Sequence, residues 1–196
     1  MKKIKFLFSL AVCALTLLAL CSCAPEITAD EVKGVLPTLV ENSKVLNEIY
    51  FGEGFDEDKS IAESAVAGYY YCDTSEYGLH SVLEIKEATE KVFTPEYAEI
   101  LYQAAFEGVT TDSAVKGARF VEGEMGLMQS KSDEVYELSD REFDYESVTV
   151  TKSNSKSVTV TVDTYVGGEK DETLTVIVKR YGEEGSYSYL LDSPTY

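Results

Sequence analysis

Apolar and polar positions follow two different periods along this chain, and the change of period divides it. Val32, Val35, Leu36, Leu39, Leu46 and Ile49 recur every three or four residues, the spacing that lines one face of an α-helix. Thr28 precedes this run, with Glu31 three residues on; that pair is a capping box, and Asp30 and Glu31 suit the positive end of a helix dipole. Pro37 lies inside the run, where its missing N–H and its ring predict a kink or a division. Phe51-Gly52-Glu53-Gly54-Phe55 ends the helix, and Asp56 to Lys59 reads as a solvated loop. Two shorter helices are expected next. Ser81 with Glu84 opens one that runs to about Val92. Thr94-Pro95 opens the other, with Thr as cap and Pro at the first helical position, and it runs to about Phe106 before Gly108.

Elsewhere the period is two. Ala65 to Cys72, "AVAGYYYC", is strand-like, with Tyr69 and Tyr71 on one face and Tyr70 and Cys72 on the other. Phe120 to Gln129 reads as a small hairpin. Val148 and Val150, then Val158, Val160 and Val162, then Leu174, Val176 and Val178 alternate with Thr149, Thr159, Thr161, Thr175 and Ile177; Tyr187 to Leu191 supplies a last strand. The turn-rich breaks "KSNSK", "GGEKD" and "GEEG" predict an antiparallel meander with one buried and one wet face. Helices followed by strands give an α+β class. The expected architecture is a single domain over residues 30–196, with N-terminal helices packed on a curved antiparallel β-meander sheet.

The first 22 residues stand apart. Lys2, Lys3 and Lys5 precede the nearly unbroken apolar run Phe6 to Leu20. This is the layout of a signal peptide, and the run is shorter than the ~20 apolar residues a spanning helix needs. Leu20-Cys21-Ser22-Cys23 resembles the lipobox of bacterial lipoproteins, with small Ser22 just before the bond to be cut. The resemblance implies a diacylglyceryl group on the Cys23 sulfur, residues 23–29 as a lipidated tether, and an extracytoplasmic domain partnered with the membrane through its anchor. Each buried CH₂ contributes about 0.8 kcal/mol, so two chains hold far more firmly than one.

Removing 22 residues takes away three lysines and no acid, moving the formal charge from −18 to −21. A surface this acidic argues against nucleic acid and leaves a neutral or cationic ligand, or a basic protein, as partner. Of four cysteines, Cys13 and Cys21 leave with the leader and Cys23 carries lipid, so Cys72 is the one thiol in the body and no internal disulfide is expected.

Candidate chemistry is sparse. Cys72 and His80 could form a nucleophile pair, but a small cysteine ending a strand is commonly structural, and the structural reading is preferred. Asp73, Ser75, Gly78 and Glu84 have partial calcium-loop spacing, broken by Tyr77, and read instead as a turn and a helix cap. The acidic stretches Glu53–Asp58 and Asp140–Glu146 read as solvated faces rather than as glycosidase carboxylates. No catalytic residue, metal site or cofactor is expected. Tyr69, Tyr70, Tyr71 and Tyr77 form the candidate binding patch, weighed against plain cross-strand packing.

The tyrosine strand, the helix "SVLEIKEATEKVFT" and the following "PEYAEILYQAAF", with "FTPEY" the most specific step, resemble the secreted IseA-type inhibitors of bacterial cell-wall DL-endopeptidases over roughly Gly68 to Met128. The whole layout, ending in "LLDSPTY", also resembles small lipoproteins of anaerobic Gram-positive bacteria with NTF2-like, cone-shaped folds. Lipidation, the added N-terminal helix and strong acidity set this chain apart from the IseA type. The resemblances imply a non-enzymatic binding or inhibitory module for an envelope protein or cell-wall fragment. A small-molecule carrier and a Cys72/His80 enzyme are the alternatives.

Overall fold

The computed structural model describes residues 24–61, 66–110, 115–132, 135–136, 138 and 140–196. The leader and Cys23 lie outside the described residues. Helix α1 spans Ala29–Phe51. Its capping box closes as the sequence predicts: the Glu31 N–H donates to the Thr28 hydroxyl at 3.2 Å, and the Thr28 N–H donates to the Glu31 carboxylate at 2.7 Å. Pro37 does not divide the helix. A mid-helix proline costs ~3 kcal/mol, whereas full burial of one large aliphatic side chain contributes about 1.5–3 kcal/mol. Val32, Leu36, Leu39 and Val40 are all buried on either side of it, so packing outweighs the break.

The meander forms as expected. Strands β7 (Arg141–Ser153), β8 (Ser157–Val166), β9 (Glu169–Tyr181) and β10 (Ser188–Leu191) make one antiparallel sheet in the order β10-β9-β8-β7. Val158, Val160, Val162, Val176 and Val178 face inward with almost no exposure, and α1 packs on β7 and β10. Register shifts between Asp144 and Thr149 and between Val150 and Lys152 interrupt the β7 ladder; such bulges bend and twist a strand.

A second sheet was not foreseen. Strands β1 (Asp56–Glu57), β2 (Tyr69–Asp73), β5 (Phe120–Gly123) and β6 (Gly126–Ser130) pair in the order β1-β2-β6-β5. The tyrosine strand recruits the hairpin, with Tyr70 opposite Gln129 and Tyr71 opposite Met128. The stretch read as a loop supplies Asp56 and Glu57, opposite Asp73 and Cys72. Between these strands lie helices α2 (Val82–Thr89) and α3 (Pro95–Tyr102), a π-helical turn at Gln103–Glu107, and a ribbon of β3 (Val109–Thr110) and β4 (Val115–Lys116). Thr94 caps α3, accepting the Tyr97 N–H at 3.2 Å. Helix α2 ends before Val92 because the backbone there turns to another partner: the Leu191 N–H donates to Val92 O, and the Thr94 N–H to Leu191 O, both at 2.8 Å.

The C-terminal segment thus locks the layers together. Asp192 N–H donates to Ile177 O at 2.8 Å, and the Ser193 hydroxyl accepts the Ile177 N–H at 3.0 Å. Buried Thr195 shares a 2.6 Å hydrogen bond with Ser43 and accepts from Asn47 at 3.3 Å, on the buried face of α1. Replacing fully buried Leu191 by Ala should cost about 2–5 kcal/mol, read as a lower urea midpoint with an unchanged m-value; a loss below ~1 kcal/mol would contradict the bridging role given to this segment.

Candidate functional site

The four tyrosines do not form one exposed face. Tyr71 is buried, and its ring lies against Gly123, where an added Cβ would fall 2.8 Å from Tyr71 Cε1. The Tyr69 hydroxyl donates to Ala118 O at 2.6 Å and the Tyr70 hydroxyl to Phe55 O at 2.9 Å. Burial pushes the Tyr70 phenol up to about 12. Tyr77 sits elsewhere, half-buried, its ring edge-on to Phe55 at 5.3 Å. Tyr69, Tyr70 and Tyr71 do line one small cleft of about 190 Å³, with Glu57, Asp58, Ile61, Val66, Ala67, Gly68 and Lys131. The cleft brings Glu57, Asp58 and Lys131, of opposite charge, together beside the tyrosine strand.

Cys72 lies on the other face of β2, in the main core. Burial pushes its thiol up from the ordinary 9.0 to about 12, opposed in part by the Arg119 charge. A thiol held protonated is a poor nucleophile. His80 is exposed; its Nδ1 lies 2.6 Å from the Thr74 hydroxyl, and its backbone N–H donates to the Glu84 carboxylate. The two residues occupy different environments, one dry and one wet. The calcium-loop positions are also engaged locally. Asp73 accepts the Ser75 N–H at 3.0 Å, and hydrogen bonds from Ser75 hold its carboxyl below the usual range. Ser81 caps α2, accepting the Glu84 N–H at 3.2 Å. Among the described residues there is no cluster of three or more potential metal ligands.

Arg119, Gln129 and Arg180 are among the buried polar side chains that periodicity does not single out. Arg119 donates to Ile49 O at 3.0 Å and Gly52 O at 2.6 Å, satisfying carbonyls that the end of α1 leaves free. Gln129 accepts the Phe55 N–H at 2.9 Å and donates to Glu53 O at 2.7 Å. Gly54 passes beneath it at φ +78°, with no room for a Cβ beside the Gln129 Oε1. Arg180 is the third, and its position was available: it continues the inward series Val176, Val178 along β9. Its guanidinium donates to Ser155 O, Pro25 O and the Glu31 carboxylate, and lies 4.2 Å from the Tyr187 ring centre. The Tyr189 hydroxyl donates to the same Glu31 oxygen at 3.0 Å.

Arg180 therefore fixes the chain where it enters the domain. Ile27 is buried, its N–H donates to Asn154 O at 3.2 Å, and its carbonyl accepts from Ser153 at 2.7 Å. Within the segment read as the lipidated tether, 23–29, Pro25 O and both backbone groups of Ile27 are bonded to the domain. The surface also carries large exposed apolar side chains that periodicity did not single out, among them Leu83, Ile100 and Met125. Leu83 and Met125 project from neighbouring elements, since the Val82 N–H donates to Glu122 on the strand before Met125.

No model of a known protein family, no curated protein and no solved structure matches the chain. Among the described residues, no helix is long and apolar enough to cross a membrane.

Because the folded-state pKa of Cys72 is raised, its contribution to stability is fully present below its unfolded value and is lost as pH rises from about 9 toward 12. Urea midpoints should fall over that window. In native protein at pH 8, alkylation of the peptide containing Cys72, followed by mass spectrometry, should run at least ~100-fold slower than in the unfolded chain; comparable rates would place the thiol at the surface.

Proposed function

We propose that this chain is a membrane-tethered extracytoplasmic lipoprotein that acts as a non-enzymatic binding or inhibitory module for a cell-envelope partner. A diacylglyceryl group on Cys23 holds it at the membrane, and the partner is an envelope protein, such as a cell-wall hydrolase, or a wall fragment. The proposed finer fold is IseA-like or NTF2-like, with α1 covering one face of the meander.

The observation that carries this reading is a filled interior. The space between α1 and the meander holds Val32, Leu36, Leu39, Val158, Val160 and Val178, and Cys72 belongs to the same continuous core. A carrier would need a cavity where these side chains pack, and a thiol enzyme would need Cys72 at the surface. What the domain offers a partner is its exterior: many carboxylates, the tyrosine-lined cleft, and the exposed Leu83 and Met125. Acidity of this sign steers a basic protein toward it, and aromatic or apolar contacts then supply affinity.

Two measurements test the two halves. The natural chain should partition into detergent, and a Cys23→Ala variant should remain aqueous; a Cys23→Ala protein that still carries lipid removes the anchor. Purified wall hydrolases assayed on isolated cell wall should lose at least about tenfold in activity when saturated with the protein, the equivalent of ~1.4 kcal/mol. Unchanged activity across the hydrolases of the envelope removes the inhibitory version and leaves capture of a wall fragment, read directly by co-sedimentation with isolated wall.

A further inference from the structure

The end of the domain next to Cys23 is built so that the chain reaches it without slack. Pro25 O is held by Arg180, and Ile27 is buried and bonded through both its N–H and its carbonyl. Ala24 is the single residue between Cys23 and that docked segment, so the Cα that carries the lipidated side chain lies within two Cα steps, about 7.6 Å, of the Pro25 Cα. Arg180 also holds Ser155 in the β7–β8 turn, and Ala24 lines an open groove of about 1150 Å³ with Lys156, Tyr181, Glu184 and Tyr187.

We propose that this pole, formed by the β7–β8 turn and the β9–β10 loop, rests on the bilayer surface, and that the second sheet stands at the membrane-distal pole. This inference rests on lipidation of Cys23. The short link sets the orientation: within the groove Lys156, Lys179 and Arg180 offset Glu96, Glu183 and Glu184, while Glu26, Asp30 and Glu31 at the chain entry favour a neutral over an anionic lipid surface. Tyr181 and Tyr187 present rings of the kind that settle at headgroup level. Helix α1 leads away from the bilayer. Its 23 residues span ~34 Å, and Arg119 ties the second sheet to its far end. The tyrosine-lined cleft and the β8–β9 turn therefore face outward, where an envelope partner can reach them.

The test uses the full chain, expressed with its leader in a lipidating bacterium and reconstituted into phosphatidylcholine vesicles containing a headgroup-nitroxide lipid. Single cysteines are introduced by Lys156→Cys or Glu184→Cys at one pole and Glu169→Cys at the other, all at exposed positions, and labelled with a fluorophore; buried Cys72 stays unlabelled. Since the ten residues of β8 separate the poles by ~30 Å, quenching at 156 and 184 should exceed that at 169 by at least about fivefold. Protein that floats with the vesicles but shows equal or reversed quenching overturns the orientation and leaves lipidation standing. Protein that does not float, with Cys23 unmodified by intact mass, overturns both.

Discussion

The structure depends on one crossing. After β10 the chain runs between the meander, the α2–α3 connection and α1, and it bonds to all three within five residues. Leu191 exchanges backbone hydrogen bonds with Val92 and Thr94, Asp192 and Ser193 meet Ile177, and Thr195 reaches Ser43 and Asn47 on α1. Backbone bonds of this kind each add only about 0.5–1.5 kcal/mol net, but they position Leu191 and Thr195 in the dry interior. There, an unmatched polar group would cost about 1–3 kcal/mol. Asn47 is tolerable on the buried face of a helix because Thr195 supplies a partner, while Ser43 bonds both Thr195 and the Val40 carbonyl of its own helix.

The same logic governs the buried guanidiniums. Arg119 and Arg180 are almost fully enclosed, yet both donate to backbone carbonyls where the fold leaves acceptors over, at the end of α1 and the entry of the chain, and Arg180 pairs with Glu31 as well. A planar fork with several fixed donors suits this task better than a lysine. Each arginine thereby ties a helix end or the entering chain to a neighbouring element.

Local physics was legible in the residues; its long-range consequences were not. Thr28 with Glu31 and Thr94 with Pro95 act within one turn of backbone, so their caps could be read directly, and the alternating valines gave the meander. The second sheet was missed because it joins Tyr69–Asp73 to a hairpin some fifty residues on, and pairing at that range leaves no periodic trace in either segment. Pro37 does not divide α1 for a related reason: the penalty is local and visible, while the burial that outweighs it comes from β7 and β10. Arg180 could have been found, since it occupies the next inward position after Val178. Arg119 precedes β5 and carries no such signal. At the candidate site, the alternation of tyrosines along β2 was readable, but which hydroxyls would be occupied by Phe55 and Ala118 depended on loops brought in from elsewhere.

Helix α1 precedes nearly everything it packs against. Its N-terminal capping box closes on itself, but Ile27 waits for Ser153, Lys33 for Glu146, and Ser43 for Thr195, separations of 126, 113 and 152 residues. An isolated helix with one apolar face is marginal in water, so α1 settles only when strands and turns more than a hundred residues later have formed. Topologies dominated by distant partners fold slowly. Under the export proposed above, that delay would keep the chain loose and translocatable during passage.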